Sequence, residues 1–470
     1  MECPSSLEPH GRSIVESCGG LPLAIVAIAG VVSRKKRLES EWLGVKESIH
    51  WHLTRYRTKI MDVLKLSYDS LSEELKPCFR YLGIYPEDFK IPAGELIQLW
   101  MAEGFLQPKE SRLPNVPEPE IVGEEYLKEL VDRNMVVVVS KRKSDGGVKE
   151  CLIHDLFRDL CIILSKADNE TSSKSSLETN QSSTRSLFLM FEKIYSKDVL
   201  KNFQSVQVLH LGRRTRIQDW SFNFEAMTFI KYLRVNICGS REFLCRSIWS
   251  LSNLETIDIL CFDRTYIPNE FWKLRQLRRV YLGIGRLILR TDENETIMWN
   301  LQTLYSVSLD TTAAFLFRNR RFPNLRKLAL WLDTHAKKSC WWHELLLSLH
   351  HLSNVRKLKL HCCNSDFSLH AKMFPSNLAK ITFLICKMSC SSMKALGQLP
   401  NLQVLKLVDG TIQESLDCAT GDFPKLQVFK MMYVSVESWM LAKGAMPALR
   451  YLLEISELHS TSLMVPAKSA

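Results

Sequence analysis

Eight cations recur at one kind of place in the C-terminal half of this 470-residue chain: Arg234, Arg279, Lys327, Lys357, Lys359, Lys380, Lys406 and Lys430. Each falls at the third or fifth position of an L-x-x-L-x-L core, where strand alternation turns a side chain away from the apolar interior. Asp258 is the one acid in the same set. Such a stripe attracts and orients an acidic partner; it makes no bonds. A merely solvated face is the bland alternative, but it would be expected to mix signs. Nucleic acid is a weaker reading, because base-stacking aromatics do not recur at these positions. The chain offers no nucleophile beside its base and no paired carboxylates, so an enzyme is not expected. Its 14 cysteines are scattered, and Cys362/Cys363 and Cys386/Cys390 lack the partner set of a zinc site. Reduced, mostly buried thiols and no metal are expected.

The elements that must position the cations are short strands. L-x-x-L-x-L cores run through Val206/Leu209/Leu211, Tyr232/Val235/Ile237, Leu254/Ile257/Ile259, Leu277/Val280/Leu282, Leu304/Val307/Leu309, Leu325/Leu328/Leu330, Val355/Leu358/Leu360, Leu378/Ile381/Phe383, Leu402/Leu405/Leu407, Leu426/Phe429/Met431 and a decayed Leu449/Leu452. Ten intervals over 243 residues, varying from 21 (304 to 325) to 30 (325 to 355), match the leucine-rich-repeat period. One unit cannot cover its own apolar residues, so neighbours must stack into a continuous core, and a stacked array presents a binding surface.

Composition and charge agree with this division. A hydrophobic content of 46% with 24% charged residues describes a globular chain large enough for more than one core. Residues 191–470 carry 37 Lys and Arg against 23 Asp and Glu, whereas residues 1–190 carry 25 against 28, so the repeats alone are basic. The longest apolar run, Leu21 to Val32, is 12 residues, short of a membrane span. Met1-Glu-Cys-Pro is not a secretory signal, so the expected location is cytoplasmic.

The first 170 residues read as helices followed by a hairpin. Gly19, Gly20 and Pro22 separate two helices within 9–33, with Pro22 suited to a first turn. A helix is predicted over about 58–67, and Ser70 with Glu73 has the capping-box pattern of the next start. Pro92 opens a helix that Gly104 ends. After Pro114, Pro117 and Pro119 comes a helix near 120–132. Met135 to Ser140 and Val148 to Ile153 then form a hairpin around Asp145-Gly-Gly, and a helix starts at His154-Asp155. Helices followed by such a hairpin are the layout of a winged-helix domain.

Four ordered motifs carry a resemblance: Gly20-Leu-Pro-Leu-Ala24, Lys76-Pro-Cys-Phe-Arg-Tyr-Leu-Gly-Ile-Tyr-Pro-Glu-Asp88, Leu96-Ile-Gln-Leu-Trp-Met-Ala-Glu-Gly-Phe105 and Ile153-His-Asp155. Followed by leucine-rich repeats, they resemble the plant nucleotide-binding leucine-rich-repeat disease-resistance proteins of the coiled-coil, late-blight type. The resemblance implies an α+β multidomain chain. Residues 1–56 correspond to a helical remnant of the nucleotide-binding module and 57–167 to the winged helix. A linker over 168–184 precedes repeats over 185–470, stacked as an α/β solenoid. It further implies that Pro22 lies against a nucleotide base and that His154, in an Ile153-His154-Asp155 version of the switch motif, reaches the β-phosphate of ADP. The other reading of the same residues is a helix opener and a helix N-cap pair.

The family binds ADP or ATP through a phosphate loop, G-x-x-x-x-G-K-[ST]. No Gly-Lys dipeptide occurs in this sequence, so it is expected to be N-terminally truncated relative to the family and to hold no nucleotide itself. The partner implied is a protein, a pathogen effector or a guarded host protein, recognised through the repeats, with receptor oligomers in the full-length family. A nucleotide-independent interaction module that modulates a full-length relative is the alternative. A DNA-binding winged helix has only the fold and Lys141-Arg-Lys143 behind it.

Overall fold

The computed structural model describes residues 4, 6–18, 22–55, 59–106, 118–143, 145–167, 185–189, 205–212, 224–236, 246–260, 264–283, 285–332, 341–362 and 368–455. Pro114, Pro117, the 168–184 linker and Ile237 lie outside them. Two compact units divide the chain: Met1–Phe188 with Ser205–Val208, and Leu189–Gln204 with Leu209–Ala470.

In the first unit, helices α1 (Glu8–Ser17), α2 (Pro22–Val32), α3 (Glu39–Arg55) and α4 (Lys59–Asp69) gather Ile14, Ala24, Ile28, Val31, Val45 and Val63 into one apolar cluster. Pro22 opens α2, where a missing N–H costs nothing. At the other end of α2 the backbone of Arg133 comes so close that a Cβ on Gly30 would stand 2.6 Å from its carbonyl oxygen. The Ser70–Glu73 capping box does not form. Ser70 Oγ donates to the Ser67 carbonyl and accepts from Arg133, while Glu73 pairs with Lys76. The physical reason is Leu71: its burial holds the chain in a turn, and α5 (Leu75–Arg80) starts only after the Ser72 carbonyl has taken the Leu75 and Lys76 N–H groups.

Beyond α5, a 3₁₀ turn over Tyr81–Ile84 leads to β1 (Ile91–Pro92) and α6 (Ala93–Ala102). Gly104, at φ +80°, ends α6, and the Phe105 N–H returns to the Trp100 carbonyl. Then come α7 (Pro119–Asp132), β2 (Val136–Lys141), β3 (Val148–Ile153) and α8 (Asp155–Ala167). β2 and β3 pair antiparallel about the turn in which Asp145 accepts from the Gly147 N–H. β1 adds a third strand that the sequence pattern did not show, with Ile91 opposite Cys151. β4 (Ser186–Leu189) brings Phe188 edge-on to Tyr81 and Tyr85.

The second unit is built on parallel strands: β5 (Val208–Leu211), β6 (Tyr232–Asn236), β7 (Thr256–Leu260), β8 (Arg264–Tyr266), β9 (Arg279–Leu282), β10 (Arg286–Ile288), β11 (Thr303–Ser308), β12 (Lys327–Trp331), β13 (Lys357–His361), β14 (Lys380–Met388), β15 (Val404–Cys418), β16 (Val428–Leu441) and β17 (Tyr451–Ile455). Along the main sheet the order is β5-β6-β7-β9-β11-β12-β13-β14-β15-β16-β17, with β8 and β10 forming a side ladder.

Two of the sequence registers slip. Tyr232 pairs with Thr256 and Leu233 with Ile257, so the sixth-strand core is Ile230/Leu233/Val235 and Arg234 occupies the fifth position, not the third. Leu304 pairs with Val280 and Leu328, which makes its core Leu301/Leu304/Val307. A bulge at Ser306, φ +67°, supplies the extra residue that misled the count. With both corrected, the first core residues stand at 206, 230, 254, 277, 301, 325, 355, 378, 402, 426 and 449, and every interval but the 30 between 325 and 355 is 23 or 24. All eleven except Leu449 are buried. The period is therefore far more regular than the sequence reading allowed.

An asparagine ladder locks the repeats together. Asn253, Asn300, Asn324, Asn354, Asn377 and Asn401 each donate Nδ2–H to a main-chain carbonyl one repeat earlier, at 2.8–3.0 Å. Each directly precedes the first core residue of its repeat, a signal that was present in the sequence and unread. At the far end β15 and β16 run 15 and 14 residues, continuing past the core into a second paired segment, Ser415–Cys418 against Ser438–Leu441.

Candidate recognition surface and switch histidine

The register places the outward positions of successive repeats side by side. In the third-position row Arg279 neighbours Thr303, then come Lys327, Lys357, Lys380 and Val404. In the fifth-position row Arg234, Asp258 and Tyr281 are adjacent, and further along Ala329, Lys359, Thr382, Lys406 and Lys430 follow one another. Six lysines thus occupy five consecutive strands, β12 to β16, stepping from the third row to the fifth. Parallel strands stand about 4.8 Å apart, so this is a dense run of like charge.

The eight cations are not equivalent. Arg234 Nη1 stands 3.7 Å from an Asp258 carboxylate oxygen and 3.4 Å from His210 Nε2, which largely neutralises that end of the stripe. Arg279 lies near the half-buried phenol of Tyr305, whose ring centroid is 5.4 Å from that of Tyr281. Lys357 is exposed, and the other lysines are half-buried, their stems lying on the sheet. Burial pushes the Lys359 ammonium below its ordinary range. The Lys430 ammonium sits 5.3 Å from the Tyr451 ring centroid. The lysines are therefore gathered over β12 to β16 and not spread along the whole array.

An aromatic cluster borders the lysines and was missed from sequence. Trp331 stacks on His361 with centroids 3.9 Å apart, and the Arg286 guanidinium covers Trp331 at 4.7 Å. Desolvation, then Lys359 and Arg286, push the His361 imidazole down to about 4, so it is neutral at physiological pH. Trp331 and His361 directly follow their cores, which is the signal a longer strand assignment would have caught.

In the first unit, Ile153 is buried at the end of β3 and anchors the segment that carries His154, as an apolar residue there should. His154 is exposed, and its Nδ1 accepts the Leu156 N–H at 3.3 Å, capping α8. A neutral imidazole whose Nδ1 accepts must carry its proton on Nε2. Asp155, the first residue of α8, is exposed where helix N–H groups favour a carboxylate. α8 itself is clamped by the Lys76–Asp88 block. Phe157 meets Phe79 edge-on at 5.8 Å, Arg158 Nε donates to the Tyr85 carbonyl at 2.7 Å, and Gly83 leaves room for Cys161, whose Cβ a side chain would meet at 2.8 Å. Pro22 is exposed at the start of α2, and no described interaction joins it to His154.

Comparison with known proteins matches both units. Residues 84–161 match the disease resistance protein winged helix domain, and residues 183–393 match a leucine-rich repeat region. The chain is 29% identical over 485 aligned residues to the ToMV susceptible protein tm-2 of Solanum lycopersicum, covering 89% of this chain and 55% of that one. It is 27% identical to the probable disease resistance RPP8-like protein 2 of Arabidopsis thaliana, covering 95% and 55%, and 26% identical to the late blight resistance protein R1-A of Solanum demissum, covering 96% and 38%. The chain therefore spans about half the length of the curated relatives it matches. Among solved structures it is similar to a Listeria monocytogenes internalin, at 12% identity and TM-score 0.40 over 58% of this chain and 80% of that one. The leucine-rich repeat domain of APL1B gives 13% and 0.39 over 65% and 93%; both likenesses are too distant to bear on function. Residues 84–161 thus match a disease-resistance winged helix, residues 183–393 match leucine-rich repeats, and plant disease-resistance proteins are similar to this chain along nearly its whole length.

Proposed function

We propose that this chain is the recognition and relay part of a plant immune receptor of the nucleotide-binding type. It acts in the cytoplasm, as a receptor and not as an enzyme. The repeats bind an acidic surface of a pathogen effector or a guarded host protein, and the winged helix passes the event to a nucleotide-dependent switch. The observation that carries the recognition step is the run of six lysines on β12 to β16, whose positive field attracts and orients such a partner. Among the described residues no helix is long and apolar enough to cross a membrane.

His154 supports the relay. With Nδ1 engaged by the Leu156 N–H, its Nε2–H is a donor at the head of a helix, a place suited to a phosphate oxygen. In a receptor of this type this proton would hold ADP and so the resting state, with Ile153 and Asp155 fixing the loop and Pro22 against the base. The 470 residues present contain no phosphate loop, which would supply most of the affinity.

Reversing Lys357, Lys359 and Lys380 to Glu tests the recognition step. The triple variant should bind the cognate partner at least roughly tenfold more weakly while melting at the same temperature as the parent. Unchanged affinity in a folded variant would remove the lysine run from the account.

A further inference from the structure

The lysine rows have an apolar neighbour that the proposed recognition step does not use. One residue beyond each core, at the seventh position, the register aligns Trp331, His361, Leu384, Val408, Met432 and Ile455 on six consecutive strands. All six are partly or fully exposed, although each follows a sixth-position residue, and five of those six are apolar. Just past this row, Ile385 and Tyr433 are also exposed, at 41% and 47%, with Asp409 between them. The chain takes positive φ at all three of these residues, +52°, +55° and +52° for Ile385, Tyr433 and Asp409, which turns the strands and leaves the apolar row on a rim. Single exposed apolar residues are ordinary, but a contiguous row across six strands, apolar at every place except the neutral His361, marks a binding surface.

We propose that this strip is a seat for an amphipathic α-helix with one acidic flank, laid across the strands. The inference rests on the recognition role of the lysine face and specifies the form of the partner. Strands repeat every ~4.8 Å and helix turns every ~5.4 Å, so apolar residues at i, i+4, i+7 and i+11 come down on successive strands of the row. Six strands span about 24 Å, the length of about 16 helical residues. The fifth-position row lies two residues away along each strand, about 6.8 Å, within the roughly 10 Å width of one helix. Lys359, Lys406 and Lys430 stand in that row and face the flank on which the helix must carry Asp or Glu. An extended acidic peptide would use the lysines but could not match the spacing of the apolar row. Charge complementarity and the paired periodicities together select the helix.

Fluorescence anisotropy with the intact 470-residue chain tests this. The probe is a labelled peptide of about 16 residues with Leu at the helical positions above and Glu along one flank; the control has the same residues in an order that breaks the period. The patterned peptide should bind at least roughly tenfold more tightly than the control. Val408→Thr with Met432→Gln should lose that advantage, and reversing Lys359, Lys406 and Lys430 to Glu should weaken both peptides. Equal binding of both peptides, sensitive to the lysines but not to Val408 and Met432, overturns the helix seat and leaves the basic face standing. No lysine-dependent binding of either peptide overturns both readings. Tighter binding of a single-stranded oligonucleotide than of the patterned peptide also overturns the assignment, as does a Val408- and Met432-dependent dimer in sedimentation. Hydrogen exchange of the unaltered chain reads the strip without relying on a variant: the patterned peptide should slow exchange in β14 to β17, and unaltered exchange there contradicts the seat.

Discussion

At the scale of single residues, two histidines do different work. His154 caps α8 through Nδ1, so His154→Ala should destabilise the winged helix by about 1 kcal/mol in a urea melt, whereas His154→Asn should retain most of the stability. Equal loss in both variants would show that the cap is not what the side chain contributes. His361 is held neutral inside a cationic and aromatic cluster, with its folded value depressed from 6.5 to about 4. The unfolded chain therefore binds more protons between those values. The contribution of neutral His361 is complete above pH 6.5 and is lost as pH falls towards 4. Partial exposure limits it to on the order of 1–2 kcal/mol. His361→Phe, which keeps the stack on Trp331, should flatten the fall of melting temperature over that window; an unaltered slope would assign the acid sensitivity elsewhere. The outward direction of the lysines was legible in sequence because alternation fixes it. The pairing of Arg234 with Asp258 was not, since it depends on which strands are neighbours.

At the scale of elements, the winged helix and most repeats were readable because Pro, Gly and leucine spacing act locally. The two slipped registers show where local reading fails. In Leu301-Gln-Thr-Leu-Tyr-Ser-Val-Ser-Leu309 only the phase from Leu304 satisfies the pattern; the phase from Leu301 needs the extra residue at Ser306, and pairing with β9 and β12 selects it. The capping box failed for a similar reason, a buried Leu71 outweighing a local hydrogen-bond pattern. Strand contacts also dictate Gly410, where a Cβ would stand 2.4 Å from the Cys386 carbonyl oxygen of the neighbouring strand. Gly410→Ala should cost about 2 kcal/mol and lower the melting temperature of the repeats. A melt indistinguishable from the parent would mean that β14 and β15 can separate without penalty.

At the scale of the molecule, sequence sufficed to divide a weakly acidic helical part from a basic repeat part. The place within the repeats where charge concentrates needed the register. The sheet gathers lysines from residues 327 to 430 into one surface and sets an aromatic cluster and an apolar row beside it. The proposed recognition step is binding through that surface. Lysine acylation read by mass spectrometry, on the free chain and on its complex with the cognate partner, examines it without altering a residue. Lys357, Lys359, Lys380, Lys406 and Lys430 should lose reactivity together in the complex. Full reactivity at all five, with protection confined to lysines elsewhere on the chain, would contradict the account.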